Sequence, residues 1–229
     1  MSTPRIALVG EDTGHESHLE LNALIPRLAA ELGVHAQWVG TAGRPDAADW
    51  DAVWLVPGSP YADDAAADAL ISSARAAGVP FLGTCGGFQY ATLNYLRHVL
   101  GRSVSHAESD GEREDNAVTA LACSLRGEER EVIPVAGSWF ARLSPELFIG
   151  MHYCGFAPTE EAIAELVAAG AVIGATAQDA GVEALRFPGE VFAVGTLFQP
   201  HIGASTGAPL HPLIVAFADA ARRRAASRP

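Results

Sequence analysis

Short apolar runs alternate with helix-like patterns along the first hundred residues. The runs have the length and composition of buried strands and lie at residues 5–9, 35–39, 51–56 and 79–82. Between them, residues 19–32 and 62–77 carry apolar positions at helical spacing and are followed by Gly33 and Gly78. Strands that alternate with helices predict an α/β fold, with a mostly parallel sheet and helices on both faces in three layers.

The second half of the chain predicts antiparallel additions to this sheet. Strand-like runs follow at residues 118–125, 131–135, 147–156, 171–176, 182–187 and 191–198. Helices are predicted at residues 159–169 and 211–226, and a turn is predicted at residues 179–181. The polar, acidic residues 103–116 are typical of a solvated loop.

The turn after the fourth run has the pattern of a nucleophile elbow. Cys85 has Gly83 and Gly87 two residues away on either side, between an apolar strand and a helical pattern. Small neighbours allow the strained backbone of such a turn, and the first turn of a helix favours a thiolate. The pattern therefore predicts a cysteine nucleophile, although a buried structural cysteine beside a glycine-rich turn fits the same residues.

A cysteine that attacks a carbonyl carbon also needs donors for the oxyanion that forms. The backbone N–H of Gly86 follows the nucleophile directly, and Gly58 and Ser59 end the neighbouring strand. Because ligands of parallel sheets bind beyond the carboxyl ends of the strands, Ser59 and Gly86 are the candidate oxyanion donors. Glu11 follows the first strand and is expected at the same edge.

Composition narrows the class of partner. The chain has 229 residues, which fits a single domain over residues 1–229 with a sizeable core. All 15 basic residues are arginine, so a lysine Schiff base, a lysine general base and the lysine of a P-loop are excluded. The net charge of −12 argues against nucleic acid or an anionic membrane as the partner. A small molecule is therefore the expected ligand.

The cysteines and the apolar segments predict a cytoplasmic protein. Three cysteines are a sparse, odd set that suits a reducing compartment. The N-terminal apolar run is too short for a signal-peptide core, and no apolar stretch approaches membrane-spanning length. The His-x-Cys spacing of His152 and Cys154 is not a usual chelating pattern, so neither a metal nor another cofactor is predicted.

Three segments together resemble the class I glutamine amidotransferases, and specifically the glutaminase domain of CTP synthase; they are residues 57–59, 83–89 and 198–213. The resemblance runs from Arg5 almost to the end of the chain. It is closer still to the stand-alone group of CTP synthase C-terminal region-related (seleno)proteins, some of which are thought to carry selenocysteine at the place of Cys85. Selenocysteine is useful only where the chalcogen reacts, so the resemblance implies a reactive Cys85.

In the amidotransferase family the cysteine attacks the amide of glutamine, and a His-Pro-Glu tripeptide supplies the base and the group that orients it. Here the tripeptide is Gln199-Pro200-His201. A glutamine side chain cannot accept and return a proton near neutral pH, so Gln199 cannot act as that base. The resemblance leaves His152 and His201 as the candidate catalytic histidines.

The same resemblance implies the residues that bind the substrate. They are Gly58, Gln89, Glu108 and Gln199, with Glu108 matching an acidic residue that grips the substrate amino group. The arginines that flank the matching histidines in CTP synthase are missing around His152. Because an α-carboxylate prefers a cationic partner, their loss argues against free glutamine as the substrate.

The sequence thus predicts an enzyme in which Cys85 forms a thioester with an amide-bearing small molecule. Such a chain either passes ammonia to a separate synthetase or hydrolyses its substrate independently, and the altered tripeptide favours the second use. The chain starts at the glutaminase-like first strand, so CTP synthesis by this chain alone is not expected. Two alternatives stay open: a non-catalytic binding protein on the same fold, and a redox protein in which Cys154 resolves an oxidised Cys85.

Overall fold

A nine-stranded sheet and a smaller three-stranded sheet form the framework of the chain. The computed structural model describes residues 3–178, 180–189 and 191–228. The strands are β1 Arg5–Val9, β2 His35–Val39, β3 Ala52–Leu55, β4 Phe81–Thr84, β5 Ser105–His106, β6 Asn116–Ala120, β7 Glu128–Pro134, β8 Phe148–His152, β9 Phe156–Pro158, β10 Val172–Ala177, β11 Gly181–Arg186 and β12 Ala193–Thr196. The helices are α1 Glu16–Leu32, α2 Asp64–Ala76, α3 Gly86–His98, α4 Ala107–Asp110, α5 Trp139–Leu143, α6 Glu160–Ala168 and α7 Pro212–Ser227.

Five neighbouring strands of the large sheet are parallel, in the order β2-β1-β3-β4-β12. From β12 the sheet continues through β11, β10, β7 and β8, whose pairings are antiparallel. The predicted α/β sheet with antiparallel additions is therefore confirmed. Thr84 is paired with Thr196 across β4 and β12. As a result, the turn that carries Cys85 leaves the sheet beside the end of β12.

Apolar residues form two core layers, one on each face of the large sheet. Side chains alternate along β1, so Ala7 and Val9 enter one layer while Ile6 and Leu8 enter the other. Helices α2, α3 and α6 contribute to the first layer, and α1, α5 and α7 contribute to the second. This arrangement confirms the three layers. Over the described residues, none of the helices has both the length and the apolar character that crossing a bilayer requires.

Near the site, two sequence predictions are wrong in detail. The acidic segment predicted as a loop contains β5 and α4, because buried His106 accepts a hydrogen bond from the Glu108 N–H and caps the short helix. The strand predicted at residues 147–156 is divided into β8 and β9, which belong to different sheets and leave Cys154 between them. Asp179, in the predicted turn between β10 and β11, lies outside the described residues.

Candidate active site

Cys85 occupies a strained turn between β4 and α3. Its backbone has φ 53° and ψ −110°, in the left-handed half of conformational space that non-glycine residues rarely adopt. The Cys85 N–H donates to the Thr196 carbonyl at 2.8 Å, and the Cys85 carbonyl accepts from the Phe88 N–H at 3.0 Å. These bonds hold the thiol at the N-terminus of α3, as the elbow pattern predicted. Strain maintained by the surrounding structure is typical of functional sites.

Glycine is required on the helical side of this turn because other backbone lies against it. A Cβ atom on Gly86 would lie 2.6 Å from the Gly58 carbonyl oxygen and 3.2 Å from the Ser59 Cβ. A Cβ atom on Gly87 would lie 2.1 Å from the Leu55 carbonyl oxygen. The end of β3 therefore packs directly on the elbow. This contact brings the Gly58–Ser59 turn beside the amide of Gly86, whose N–H has no partner within its own helix.

The structure brings six predicted site residues to one cavity of about 360 Å³. They are Gly58, Ser59, Cys85, Gln89, Glu108 and Gln199. The cavity lies beyond the carboxyl ends of β1, β3 and β4, where ligands bind in sheets of this kind. Neither His152 nor His201, both among the described residues, lines the cavity.

A second thiol shares this cavity. Cys154, between β8 and β9, lines the cavity together with Cys85. Its thiol donates to the Leu197 carbonyl at 3.5 Å. Burial raises the pKa of the Cys154 thiol well above its ordinary value, and the neighbouring Cys85 raises it further. Cys154 is therefore a protonated thiol beside the predicted nucleophile at neutral pH.

A hydrogen-bonded chain fixes the side chain of Gln199. Ser17 donates from Oγ to Gln199 Oε1 at 2.6 Å, and Ser17 Oγ lies 3.1 Å from His201 Nε2. Because the amide oxygen can only accept, the Ser17 hydroxyl is the donor there and receives its own hydrogen bond from His201 Nε2–H. Gln199 Nε2 is buried and has no hydrogen-bond partner among the described residues. Gln199 thus presents an unused donor just beyond the end of β12.

We expect Ser17→Ala to destabilise the fold by about 1–3 kcal/mol, because it leaves the Gln199 amide oxygen and the His201 N–H without a partner inside the protein. Urea unfolding at pH 7.5 measures the change. Ser103→Ala is the matched control, because Ser103 is exposed. Equal unfolding midpoints for the two variants would contradict this hydrogen-bonded chain.

His152 is paired with a residue that the sequence analysis missed. Its Nε2 lies 3.0 and 2.9 Å from the two carboxylate oxygens of Glu183, and both side chains are fully buried. Glu183 also accepts a hydrogen bond from the Phe198 N–H at 3.0 Å. The pair therefore ties β8 to β11 and to the end of β12. His152 Nδ1 is buried without a partner among the described residues.

Gln89 and Glu108 are already engaged by protein groups. Gln89 donates from Nε2 to the Phe156 carbonyl at 2.7 Å and accepts from His106 Nε2 at 3.0 Å. Burial lowers the pKa of His106 to about 4, which keeps this ring neutral at physiological pH. Glu108 accepts a hydrogen bond from the Ser59 hydroxyl at 2.6 Å and lies 3.9 Å from an Arg126 nitrogen. The carboxylate of Glu108 is the better placed of the two to meet a ligand cation.

Glu11 and two histidines complete the part of the cavity wall formed by the N-terminal region. Glu11 lines the cavity, but its carboxylate accepts from the Thr41 hydroxyl at 2.6 Å and from the Ala62 N–H at 3.2 Å, so it braces two loops. His15 and His18 also line the cavity and were not predicted. The Nδ1 atom of each accepts a backbone N–H, from Ser17 and Thr13 respectively, so the neutral rings carry their proton on Nε2. The spacing of these two histidines at the start of an amphipathic helix is the sequence signal from which they could have been predicted.

No group of three or more metal-ligating side chains occurs within the described ranges.

A cysteine elbow at the carboxyl edge of a mixed, three-layered sheet is the arrangement of the class I glutamine amidotransferase-like fold. Solved structures have the same fold. The CTPS glutaminase domain of Trypanosoma brucei, with bound acivicin, superposes with a TM-score of 0.82 at 20% identity and covers 96% of this chain and 94% of its own. A glutamine amidotransferase from Thermotoga maritima gives a TM-score of 0.62 at 17% identity, over 98% of this chain and 86% of its own.

Sequence similarity points to one group within this class. The CTP synthase of Methanopyrus kandleri is 27% identical over 92% of this chain and 44% of its own length. The CTP synthase of Moorella thermoacetica is 30% identical over 75% of this chain and 34% of its own length. No protein-family model matches the chain. Fold and sequence together identify a class I glutamine amidotransferase-like protein that is similar to the CTP synthase glutaminase domain, and the chain spans less than half the length of these curated relatives.

Proposed function

We propose that the chain is a cysteine-dependent amidohydrolase in which Cys85 attacks the carbonyl carbon of an amide-bearing small molecule. The observation that carries the proposal is the strained Cys85 elbow at the base of a cavity, packed against the Gly58–Ser59 turn. Attack forms a carbon–sulfur bond and an oxyanion, which the amides of Ser59 and Gly86 stabilise. Ammonia or an amine leaves, and water then hydrolyses the thioester.

The proposed substrate carries a positive charge near the amide. Glu108 supports this assignment, since its carboxylate lines the cavity and is held in place by the Ser59 hydroxyl. Gln199 contributes an unused N–H donor on the same cavity. An acceptor oxygen of the substrate matches this donor. A primary or secondary amide with an ammonium group is the simplest compound that satisfies both residues.

The proposed mechanism differs from that of the ordinary triad. Gln199 cannot take a proton, and His152 and His201 contact Glu183 and Ser17 instead of lining the cavity. We therefore assign His152 and His201 positioning roles: His201 acts on Gln199 through Ser17, and His152 acts on the end of β12 through Glu183. The nucleophile is then a thiolate favoured by the N-terminus of α3, and turnover without a general base is expected to be slow.

The test is intact-mass labelling by 6-diazo-5-oxonorleucine, an electrophile with the shape of glutamine, on the wild type, Cys85→Ala and Cys123→Ala. One adduct on the wild type and on Cys123→Ala, which lacks the exposed cysteine, with none on Cys85→Ala, would show a reactive Cys85 in a pocket that accepts the shape of glutamine. Ammonia release from a panel of amides then identifies the substrate. If iodoacetamide labels Cys85 but the glutamine-shaped reagent does not, the pocket has changed its substrate class. If neither reagent labels Cys85, the proposed nucleophile is overturned.

A non-catalytic binding protein is the second candidate function, and the hydrogen bonds of Gln199 favour it. The residue at the family's base position is built into the His201–Ser17 chain as a donor, which suits binding better than proton transfer. Ligand-dependent rise of the melting temperature without ammonia release would support this alternative. A synthetase that accepts ammonia is a proposed partner only if ammonia is released.

A further inference from the structure

The two cavity cysteines come from distant parts of the chain and are anchored to the same strand end. The backbone N–H of Cys85 donates to the Thr196 carbonyl at 2.8 Å, and the thiol of Cys154 donates to the carbonyl of the next residue, Leu197, at 3.5 Å. Both side chains line the same cavity, and both thiols are free. Cys85 is 7% exposed and Cys154 is 2% exposed, so the pair is reached from the cavity and shielded elsewhere.

We propose that Cys85 and Cys154 form a reversible intramolecular disulfide, which makes the cavity a two-cysteine site that reduces a small hydroperoxide. This activity goes beyond amide hydrolysis and does not depend on it. It uses the thiol of Cys85 in a second way, and it gives Cys154 a chemical role. Cys123 is exposed and takes no part in the reaction.

The electrons balance in three steps. The Cys85 thiolate attacks the outer oxygen of the hydroperoxide, the O–O bond breaks and Cys85 becomes a sulfenic acid, while the alkoxide or hydroxide that leaves takes a proton from solvent and becomes an alcohol or water. The sulfur of Cys154 then attacks the sulfur of Cys85, an S–S bond forms, the S–O bond breaks, and the thiol proton leaves with the hydroxyl as water. An external dithiol returns two electrons, and both cysteines become thiols again as that dithiol becomes a disulfide.

The environment of each cysteine assigns the order of these steps. Cys85 lies at the N-terminus of α3 and lines the cavity, so its sulfur meets the hydroperoxide first. The raised pKa of Cys154 keeps its thiol protonated, and therefore unreactive toward peroxide, until a sulfenic acid forms next to it. The disulfide also removes the nucleophile needed for attack on an amide. Oxidation is consequently expected to switch off any amide hydrolysis until a dithiol restores it.

The experiment treats the reduced full chain with one equivalent of hydrogen peroxide, blocks the remaining thiols with iodoacetamide and measures the intact mass. We expect Cys123 alone to be alkylated and the chain to have lost two hydrogens. Peptide mapping without reduction should link the Cys85 and Cys154 peptides, and dithiothreitol should restore both thiols. The Cys123→Ser variant should behave in the same way, because it retains the pair.

Cys154→Ser provides the discriminating variant, since it keeps the size of the side chain while removing the resolving sulfur. In this variant we expect Cys85 to remain as a sulfenic acid that dimedone labels, or to proceed to a sulfinic acid. Sulfinic acid on Cys85 of the wild type without a linked peptide would overturn the proposal. Unoxidised Cys85, or a disulfide that joins two chains through Cys123, would also overturn it. None of these readouts uses amide hydrolysis, so failure of the proposed amidohydrolase leaves the redox test intact.

Discussion

Replacing Glu183 with alanine should lower the free energy of unfolding by about 3–5 kcal/mol, because it leaves two buried donors without an acceptor and opens a void in the core. The carboxylate of Glu183 is bound by His152 Nε2 and by the Phe198 N–H, and both side chains of the pair have no exposure. Alanine leaves two donors unsatisfied in the core and adds a void. Because 3 kcal/mol corresponds to a change of more than about a hundredfold in the folding equilibrium, the variant should unfold at much lower urea.

Glu131→Ala is the matched control for this measurement, since Glu131 is an exposed carboxylate on β7. Its unfolding midpoint should stay close to that of the wild type. Glu183→Gln should lower the free energy of unfolding less than Glu183→Ala does, because an amide oxygen can still accept one of the two hydrogen bonds. Equal loss for Glu183→Ala and Glu131→Ala would show that the buried pair contributes nothing to stability. If Glu183→Ala fails to fold, the unfolding midpoints of Glu183→Gln and Glu131→Ala still show whether the buried pair stabilises the fold.

The protein should also lose stability as the pH falls from about 6.5 toward about 3. Burial lowers the pKa of His201 to about 3, while a histidine of the unfolded chain titrates near 6.5. A depressed pKa means that the unfolded chain binds the proton first, so the stabilisation is complete above pH 6.5 and is lost on acidification. For His201 alone the loss at pH 5 is about 2 kcal/mol. His106 and His211, whose pKa values burial lowers to about 4, act in the same direction.

His201→Gln separates this titration from the hydrogen bond that His201 makes. Glutamine still donates to Ser17 Oγ, but it does not titrate. Between pH 7.5 and pH 5, we expect the unfolding free energy of the variant to fall by about 2 kcal/mol less than that of the wild type. Identical pH profiles would show that His201 is protonated in the folded protein. Urea unfolding at closely spaced pH values gives both curves.

The sequence was sufficient to predict the framework and the turn that carries Cys85. Strand β1 was predicted with its observed bounds, and the ends of β1, β3 and β4 meet at one cavity, as parallel topology requires. The sequence pattern predicts these features because the alternation of strands with helices and the spacing of glycines are local signals. Oxyanion and substrate-binding assignments remain predictions, even though Ser59 and the four substrate-binding candidates line the cavity and Gly86 packs against the Gly58–Ser59 turn.

The groups that the sequence did not reveal act through contacts between distant segments. Glu183 lies 31 residues from its partner His152, on a strand with an apolar pattern, and nothing local indicates the pair. Ser17 contacts Gln199 across 182 residues, so its role depends on the docking of α1 on the end of β12. The place of Cys154 on the cavity wall likewise depends on the break between β8 and β9, which local sequence does not indicate. Side-chain chemistry at a sheet edge is decided by tertiary packing, which local periodicity does not encode.

The backbone contacts of Gly86 and Gly87 also limit which positions of this site can be changed by protein engineering. Both glycines touch carbonyl oxygens of the β3 end, so neither position admits a side chain without moving the sheet. Positions 89 and 199, by contrast, meet their neighbours through side chains rather than through the backbone. In a randomised library of the cavity, selection should return glycine at 86 and 87 and a range of residues at 89 and 199. Directed evolution of new activities on this scaffold will therefore proceed through the cavity wall, while the turn itself stays constant.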